Sequence, residues 1–246
     1  MTLRQRLVLV LAGTLLGPAA LDAQGGFDPQ VEEYAGPVRW ELGLTGLLAD
    51  PVGEFDDYVG LGGGFNLFGV FYLGESLRWG LRLDGTLIVY GSNTVRRPLS
   101  PTVPFVDVDV KTENTIASFA LGPHVVFGDG WIRPYLHASV GASQFATTTS
   151  VYGSGSSDFQ PFASTDNFED YTFRLEVGGG LRLDLATARR HPLMLELGAD
   201  YVRHGLTDYL REGGIRELPG GGYEVDPIRS ETNLMTYHLA LVIGIR

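Results

Sequence analysis

Cysteine is absent from the 246 residues, which excludes disulfides and a lipid-bearing N-terminal cysteine, so the folded chain relies on its non-covalent architecture alone. Lysine is almost absent as well: Lys111 is the single lysine among 18 basic residues, and acidic residues outnumber these to give a net charge of −11. An acidic chain without a basic stripe is not built to hold nucleic acid, and no nucleic-acid partner is expected. Beyond the first residues there is no run of about 18 consecutive apolar residues, so no transmembrane helix is expected. Any bilayer-crossing segment would then have to be a strand of a closed barrel, because only helices and closed barrels satisfy every backbone group in lipid. The five histidines occur singly, without His-x-x-x-His or carboxylate spacing, so they are read as packing groups, with no metal and no cofactor expected. The runs GLGGGF at 60–65 and GGG at 178–180 and 220–222 have neither dinucleotide-loop nor phosphate-loop spacing.

The first residues, MTLRQRLVLVLAGTLLGPAALDAQ, combine two arginines, a ten-residue apolar run, a Gly17-Pro18 break and the small Ala23. This reads as a secretory signal spanning 1–23, too short in its apolar part to cross a bilayer. A short periplasmic segment at 24–37 and a single domain at 38–246 follow. Losing Arg4, Arg6 and Asp22 takes the 18 basic and 29 acidic residues to 16 and 28, and the charge to −12.

Residues 171–186, YTFRLEVGGGLRLDLA, alternate apolar and charged positions over sixteen residues. Period two is a β-strand with two unlike faces. Typical strands run about 5 to 6 residues, and sixteen at about 3.3 Å each fit something roughly 40 Å thick once the strand is tilted. The same pattern predicts eight strands at about 38–48, 60–73, 77–91, 113–127, 131–147, 169–185, 193–206 and 232–246. The connections alternate. Those at 49–59, 92–112, 148–168 and 207–231 are long and polar, whereas those at 74–76, 128–130 and 186–192 are short. Long loops at one end and tight turns at the other are the arrangement of an outer-membrane barrel, with both termini on the periplasmic turn side. Asp129-Gly130 is a type I′ hairpin signal that would pair Phe127 with Ile132, Leu121 with Ala138 and His124 with Tyr135. A three-residue turn at 74–76 would set Leu73 opposite Leu77 on the oily face. Pro123 and Pro134 cannot donate to a ladder, and a bulge is expected there.

Alternation alone does not say which face looks out, since a soluble lipocalin-like barrel would have its apolar face inside. Strand length, glycines on the polar face (Gly43, Gly80, Gly122, Gly178 and Gly180) and aromatic residues at segment ends favour the membrane arrangement. The fold class expected is therefore all-β, an eight-stranded antiparallel up-and-down transmembrane barrel. Trp40, Trp79, Phe127, Tyr171 and Tyr201 are expected in lipid-facing girdles, with Phe71 and Tyr90 beside them. Arg39, Glu41, Arg82, Asp84, Arg174, Glu176, Arg182, Asp184, Glu196 and Asp200 are expected to line the lumen as a polar network, together with His124, His137 and His238. Buried charges are costly unless paired, so such a network would plug the pore or line a gated pathway.

On these patterns the chain resembles the small OmpA/OmpX/OmpW-like outer-membrane barrel proteins over residues 38–246. The final segment NLMTYHLALVIGIR resembles the family's C-terminal assembly signal in its alternating Tyr237, Leu239, Leu241, Ile243 and Ile245, though it ends in Arg246 where the family usually has an aromatic residue. The resemblance implies an outer-membrane location, a monomer in contact with lipid and lipopolysaccharide, and delivery to the barrel assembly machinery through the last strand. It also implies a non-enzymatic structural or surface-interaction role with an unknown extracellular partner. The alternatives are a narrow transport barrel for small, even apolar, solutes, a lipid-modifying enzyme, and a lipocalin-like carrier. His137-Ala138-Ser139 looks like the His-x-Ser of the lipid A deacylases, but Val140 follows where that family has Asn, and no acid follows nearby. Asp50, Glu54, Asp56 and Asp57, and Asp158, Asp166, Glu169 and Asp170, form acidic loop clusters read as solvated. The apolar residues at 96–110 and 209–228 read either as binding tips or as strands continuing as hairpins above the membrane.

Overall fold

The computed structural model describes residues 37–74, 76–100, 103–153, 160–186, 191–217 and 223–245. The expected leader, most of the segment after it, Asp158 and Arg246 lie outside the described residues. Eight strands form a closed antiparallel barrel: β1 (Trp40–Pro51), β2 (Gly62–Leu73), β3 (Trp79–Ser100), β4 (Val103–Val126), β5 (Ile132–Gly153), β6 (Ala163–Ala186), β7 (Leu193–His204) and β12 (Leu234–Ile245). Between the last two, β8 (Leu206–Tyr209) pairs with β11 (Ile228–Glu231), and β9 (Ile215–Glu217) pairs with β10 (Tyr223–Val225). Trp40 lies opposite Ile245 on one side and Phe71 on the other, so β1 closes the ring and leaves no edge within the shared wall.

Within the barrel wall burial largely switches residue by residue along the strands, as the pleat requires. In β3, Trp79, Leu81 and Leu83 are exposed, whereas Arg82 and Asp84, at 5% and 1% exposure, are buried. The arrangement inverts that of a soluble barrel: the charged set is inside and the apolar set outside. This belt of exposed Leu, Val, Phe and Trp side chains runs around all eight strands and has no counterpart on a water-soluble surface.

Four strands run beyond the eight predicted segments, and at 96–110 the hairpin reading of the sequence is the one that holds for β3 and β4. β3 to β6 run 22 to 24 residues, so the expected loops at 92–112 and 148–168 are largely hairpin ladder. β-branched alternation in VDVDV and TTTSV sustains the pairing, for example Val95 opposite Val110 and the 3.0 Å contact between the Thr112 and Thr149 hydroxyls. At about 3.3 Å per residue, 24 residues reach about 79 Å along the strand, far beyond a hydrocarbon core of about 30 Å. A four-stranded sheet therefore stands out of the barrel on its long-loop side.

Both tight turns are wider than expected. His124 faces His137, not Tyr135, and the Phe127 amide donates to Pro134 O, because Gly128 (φ 78°) takes the left-handed position in place of Asp129-Gly130. Leu73 faces Trp79, not Leu77, and Leu77 (φ 50°) turns inward against the lower core instead of joining the oily face. Each register moves by two residues, one full pleat period, so the shift itself turns no strand residue to the other face. The expected bulge at the prolines is absent: pairing of β4 with β5 lapses at Gly122 and Pro123 but resumes in the same register. A missing N–H removes a ladder bond without inserting a residue.

Candidate functional site

The interior is filled in three tiers. At the turn side, Arg182 on β6 is fully buried. It donates from Nε to Glu196 Oε1 at 2.8 Å and from Nη2 to the same oxygen at 2.5 Å. It also donates to both oxygens of Glu41 at 3.0 and 2.8 Å, and to the Tyr72 hydroxyl at 2.9 Å. The Tyr72 hydroxyl in turn donates to Glu41 Oε2 at 2.9 Å. Since β2 stands four strands from β6 around a ring of eight, this network crosses the whole lumen. Phe68, Val70, Val126, Tyr135, Met194 and Val242 pack around it.

In the middle tier, Arg82 Nε holds both oxygens of Asp84 at 2.9 and 3.2 Å, and its guanidinium lies 3.8 Å above the Phe68 ring. Asn66 donates to Asp84 and Thr86. On the facing wall a second chain runs from Arg174 to Glu176, from Glu176 to His137 Nε2 at 3.0 Å, and from His137 to Asp200 Oδ1 at 3.4 Å. It continues from Asp200 Oδ2 to His238 Nδ1 at 2.8 Å, and from His238 Nε2 to the Tyr135 hydroxyl at 2.7 Å. His124 stacks on Tyr135 with centroids 5.6 Å apart. The space left between these side chains, bordered by Arg82, Arg174, Glu176, Asp200 and His238, is about 20 Å³. That holds roughly one water molecule.

The upper tier is apolar. The first long loop makes a 3-10 turn at Gly53–Asp57 that drops Phe55 into the mouth, fully buried, with ring centroids 5.0 Å from Tyr209, 5.7 Å from Tyr90 and 6.3 Å from Phe145. Below it, His204 joins the Ser143 hydroxyl at 2.9 Å and Thr232 O at 2.6 Å. On the rim, Asp170 accepts hydrogen bonds from the Asp208 amide and the Thr207 hydroxyl, both at 2.7 Å, and so ties the β8/β11 hairpin to β6. Burial pushes the Asp170 carboxyl up, but these bonds and one from the Tyr171 amide outweigh it and hold it below its ordinary value of 3.8.

Of the ten polar residues proposed for the lumen, Glu41, Arg82, Asp84, Arg174, Glu176, Arg182, Glu196 and Asp200 are buried inside. Asp184 is partly buried at the turn end and pairs with Arg133 at 2.7 Å, not with its neighbour Arg182. Arg39 is a correction: it precedes β1 and is exposed, and its carbonyl accepts from the Tyr72 amide. Trp40, Trp79, Phe127, Tyr171 and Tyr201 all point outward, with 43% to 66% exposure. Tyr90 is a second correction, because it points inward and its hydroxyl donates to Leu210 O. Tyr90 shares the even parity of the inward Arg82, Asp84, Thr86 and Ile88 on β3, so the simple alternation of the strand places it inside. The histidines are not the isolated packing groups expected: the barrel brings His137, Glu176 and Asp200 together from three strands, with donor atoms within 4.8 Å of one another.

Sequence reasoning missed Tyr72 and Phe55. Tyr72 lies in FNLFGVFYL, where both faces are apolar, and Phe55 lies in an aperiodic acidic loop. Arg133 was detectable, since it shares its parity with His137.

No family model matches the chain, and no curated protein matches it. Among solved structures it is similar to Ail, the attachment invasion locus protein of Yersinia pestis, in complex with the heparin analogue sucrose octasulfate. That match has 12% identity, covers 84% of this chain and 95% of that one, and has a TM-score of 0.37. It is also similar to Neisserial surface protein A (NspA), at 14% identity over 84% of this chain and 96% of that one, with a TM-score of 0.40. On its own geometry, with an apolar outer belt around a filled polar interior, the chain is an eight-stranded antiparallel up-and-down transmembrane β-barrel.

Proposed function

We propose that this chain is an integral outer-membrane barrel without enzymatic activity, a structural or surface-interaction protein whose closed lumen serves as a rigid base for the sheet formed by the outer parts of β3 to β6. The Arg182 network supports this reading most strongly. A fully buried guanidinium bonded to the adjacent β7 and, across the lumen, to β1 and β2 leaves no path for a solute, and the aromatic plug around Phe55 closes the other end. The same closure speaks against a transport role. The His-x-Ser motif does not support lipid chemistry, since His137 and Ser139 both point inward, away from lipid, and the Ser139 hydroxyl makes no hydrogen bond. Lipid and lipopolysaccharide are the partners of the outer belt. The β12 strand is the element the assembly machinery would read, and the barrel acts as a monomer with its long hairpins extracellular.

The test is fractionation followed by electrophoresis with and without boiling after mild detergent extraction. A heat-dependent shift in the outer-membrane fraction is expected. A soluble protein without such a shift would sink the reading and favour a carrier. Planar bilayers carrying the folded protein are expected to show no solute-dependent conductance.

A further inference from the structure

We propose that His137, Glu176 and Asp200 form a binding site for one divalent transition-metal cation of the zinc type inside the barrel. The three residues sit on neighbouring strands β5, β6 and β7, and all are buried. His137 Nε2 lies 3.0 Å from Glu176 Oε1 and 3.4 Å from Asp200 Oδ1. A tetrahedral zinc with bonds of about 2.0 to 2.1 Å needs donor atoms about 3.3 Å apart, so these two separations approximate two edges of its coordination sphere, and all three donors lie within 4.8 Å of one another.

Each carboxylate keeps one oxygen for the ion and commits the other elsewhere. Glu176 Oε2 is taken by Arg174, which leaves Oε1 toward His137. Asp200 Oδ2 is taken by His238 Nδ1 and by the Thr236 hydroxyl at 3.0 Å. Asp200 Oδ1 receives no hydrogen bond, although the residue is only 8% exposed. A buried carboxylate oxygen without a donor is costly, and such orientation of the remaining oxygen by outer partners is what metal sites use. Gly178 holds the space for it: a Cβ there would collide with that same Oδ1. The interior space of about 20 Å³ borders both Glu176 and Asp200 and has room for about one water beside them.

Charge points the same way. Among the described residues, the buried carboxylates are Glu41, Asp84, Glu176, Glu196 and Asp200, and the buried guanidiniums are Arg82, Arg174 and Arg182. Counting these carboxylates and guanidiniums alone, acids exceed bases by two, and one divalent cation supplies two positive charges. An imidazole with two carboxylates suits zinc-class ions better than calcium or magnesium, which prefer all-oxygen sets.

Because the interior is closed at both ends, the ion must be offered during folding. The untagged chain is unfolded in urea, refolded into detergent with Zn²⁺ or Co²⁺, dialysed against metal-free buffer, and assayed for metal per barrel. One retained ion per barrel is expected, with the visible absorption of four-coordinate cobalt bound through nitrogen and oxygen. His137→Gln and Asp200→Asn are expected to drop retention to background while keeping the heat-dependent gel shift. If either variant fails to fold, the wild-type stoichiometry and cobalt spectrum decide the matter. A wild-type barrel that folds but retains no ion would overturn the proposal and leave the three side chains sharing protons only. Retention unchanged in the folded variants would overturn it equally.

Discussion

Replacing Arg182 with Met is the most informative perturbation of the closed lumen. Met keeps the apolar stem but removes five polar contacts between 2.5 and 3.0 Å to Glu196, Glu41 and Tyr72. Glu41 retains the Tyr72 hydroxyl as a donor, whereas Glu196, whose Oε2 already has no partner, loses its guanidinium altogether. Removing one member of a buried ion cluster typically costs about 3 to 5 kcal/mol, because the remaining charges are stranded. Loss near the upper end is expected here, since two carboxylates are stranded by one substitution. Urea unfolding of the barrel folded in detergent, followed by tryptophan emission and by the gel shift, measures it. The companion triple variant Arg182→Met, Glu41→Gln and Glu196→Gln should recover most of the loss, because it removes the stranded charges together with their partner. A single variant within about 1 kcal/mol of wild type, the range of an exposed ion pair, would refute the view that Arg182 is a desolvated hub.

Phe55→Ala should release the first loop from the mouth at a local cost of about 3 kcal/mol. Amide exchange at Val59, which donates to Phe55 O at 3.0 Å, would then rise by about two powers of ten while barrel unfolding changes little. Gly178→Ala should destabilise the middle tier by about 1 to 3 kcal/mol through overpacking against Asp200, and an unchanged urea midpoint would contradict the close approach. The anchoring of β8 by Asp170 should depend on pH. A depressed folded-state value means that the contribution is fully present above the ordinary 3.8 and is lost as pH falls through the lower value in the fold. Asp170→Asn should therefore show at neutral pH the fast Asp208 amide exchange that wild type shows only in acid.

The strand count, the closure and the choice of outward face were legible because charge and oil alternate over long segments such as 171–186. Arg174, Glu176 and Arg182 could be placed inside by parity alone. Partner choice could not. Arg182 bonds Glu196, opposite it on the neighbouring strand β7, and Glu41 across the lumen, whereas Asp184 two residues away pairs with Arg133, although Arg82 with Asp84 and Arg174 with Glu176 do pair at that spacing. The hairpin registers slipped because Gly128 and Leu77, at positive φ, widen the turns beyond what the dipeptide signals imply. The strands ran past the expected loops because Thr and Val alternation carries a ladder without a hydrophobic face. The metal-like cluster was hidden because its three ligands are separated by 39 and 24 positions in sequence, and only the register of β5, β6 and β7 joins them.

The central claim, that the outer belt is bathed in lipid, has a direct test in the tryptophans. Trp40, Trp79 and Trp131 are the three in the chain, all are more than half exposed, and all sit at the short-turn end of the barrel. Tryptophan belongs at the headgroup boundary of a bilayer. Reconstitution into vesicles of lipids brominated at a series of depths should therefore quench their emission most strongly with bromines nearest the headgroups and weakly with bromines at the bilayer centre. No quenching at any depth, or strongest quenching at the centre, would contradict the transmembrane assignment and the placement of the two faces.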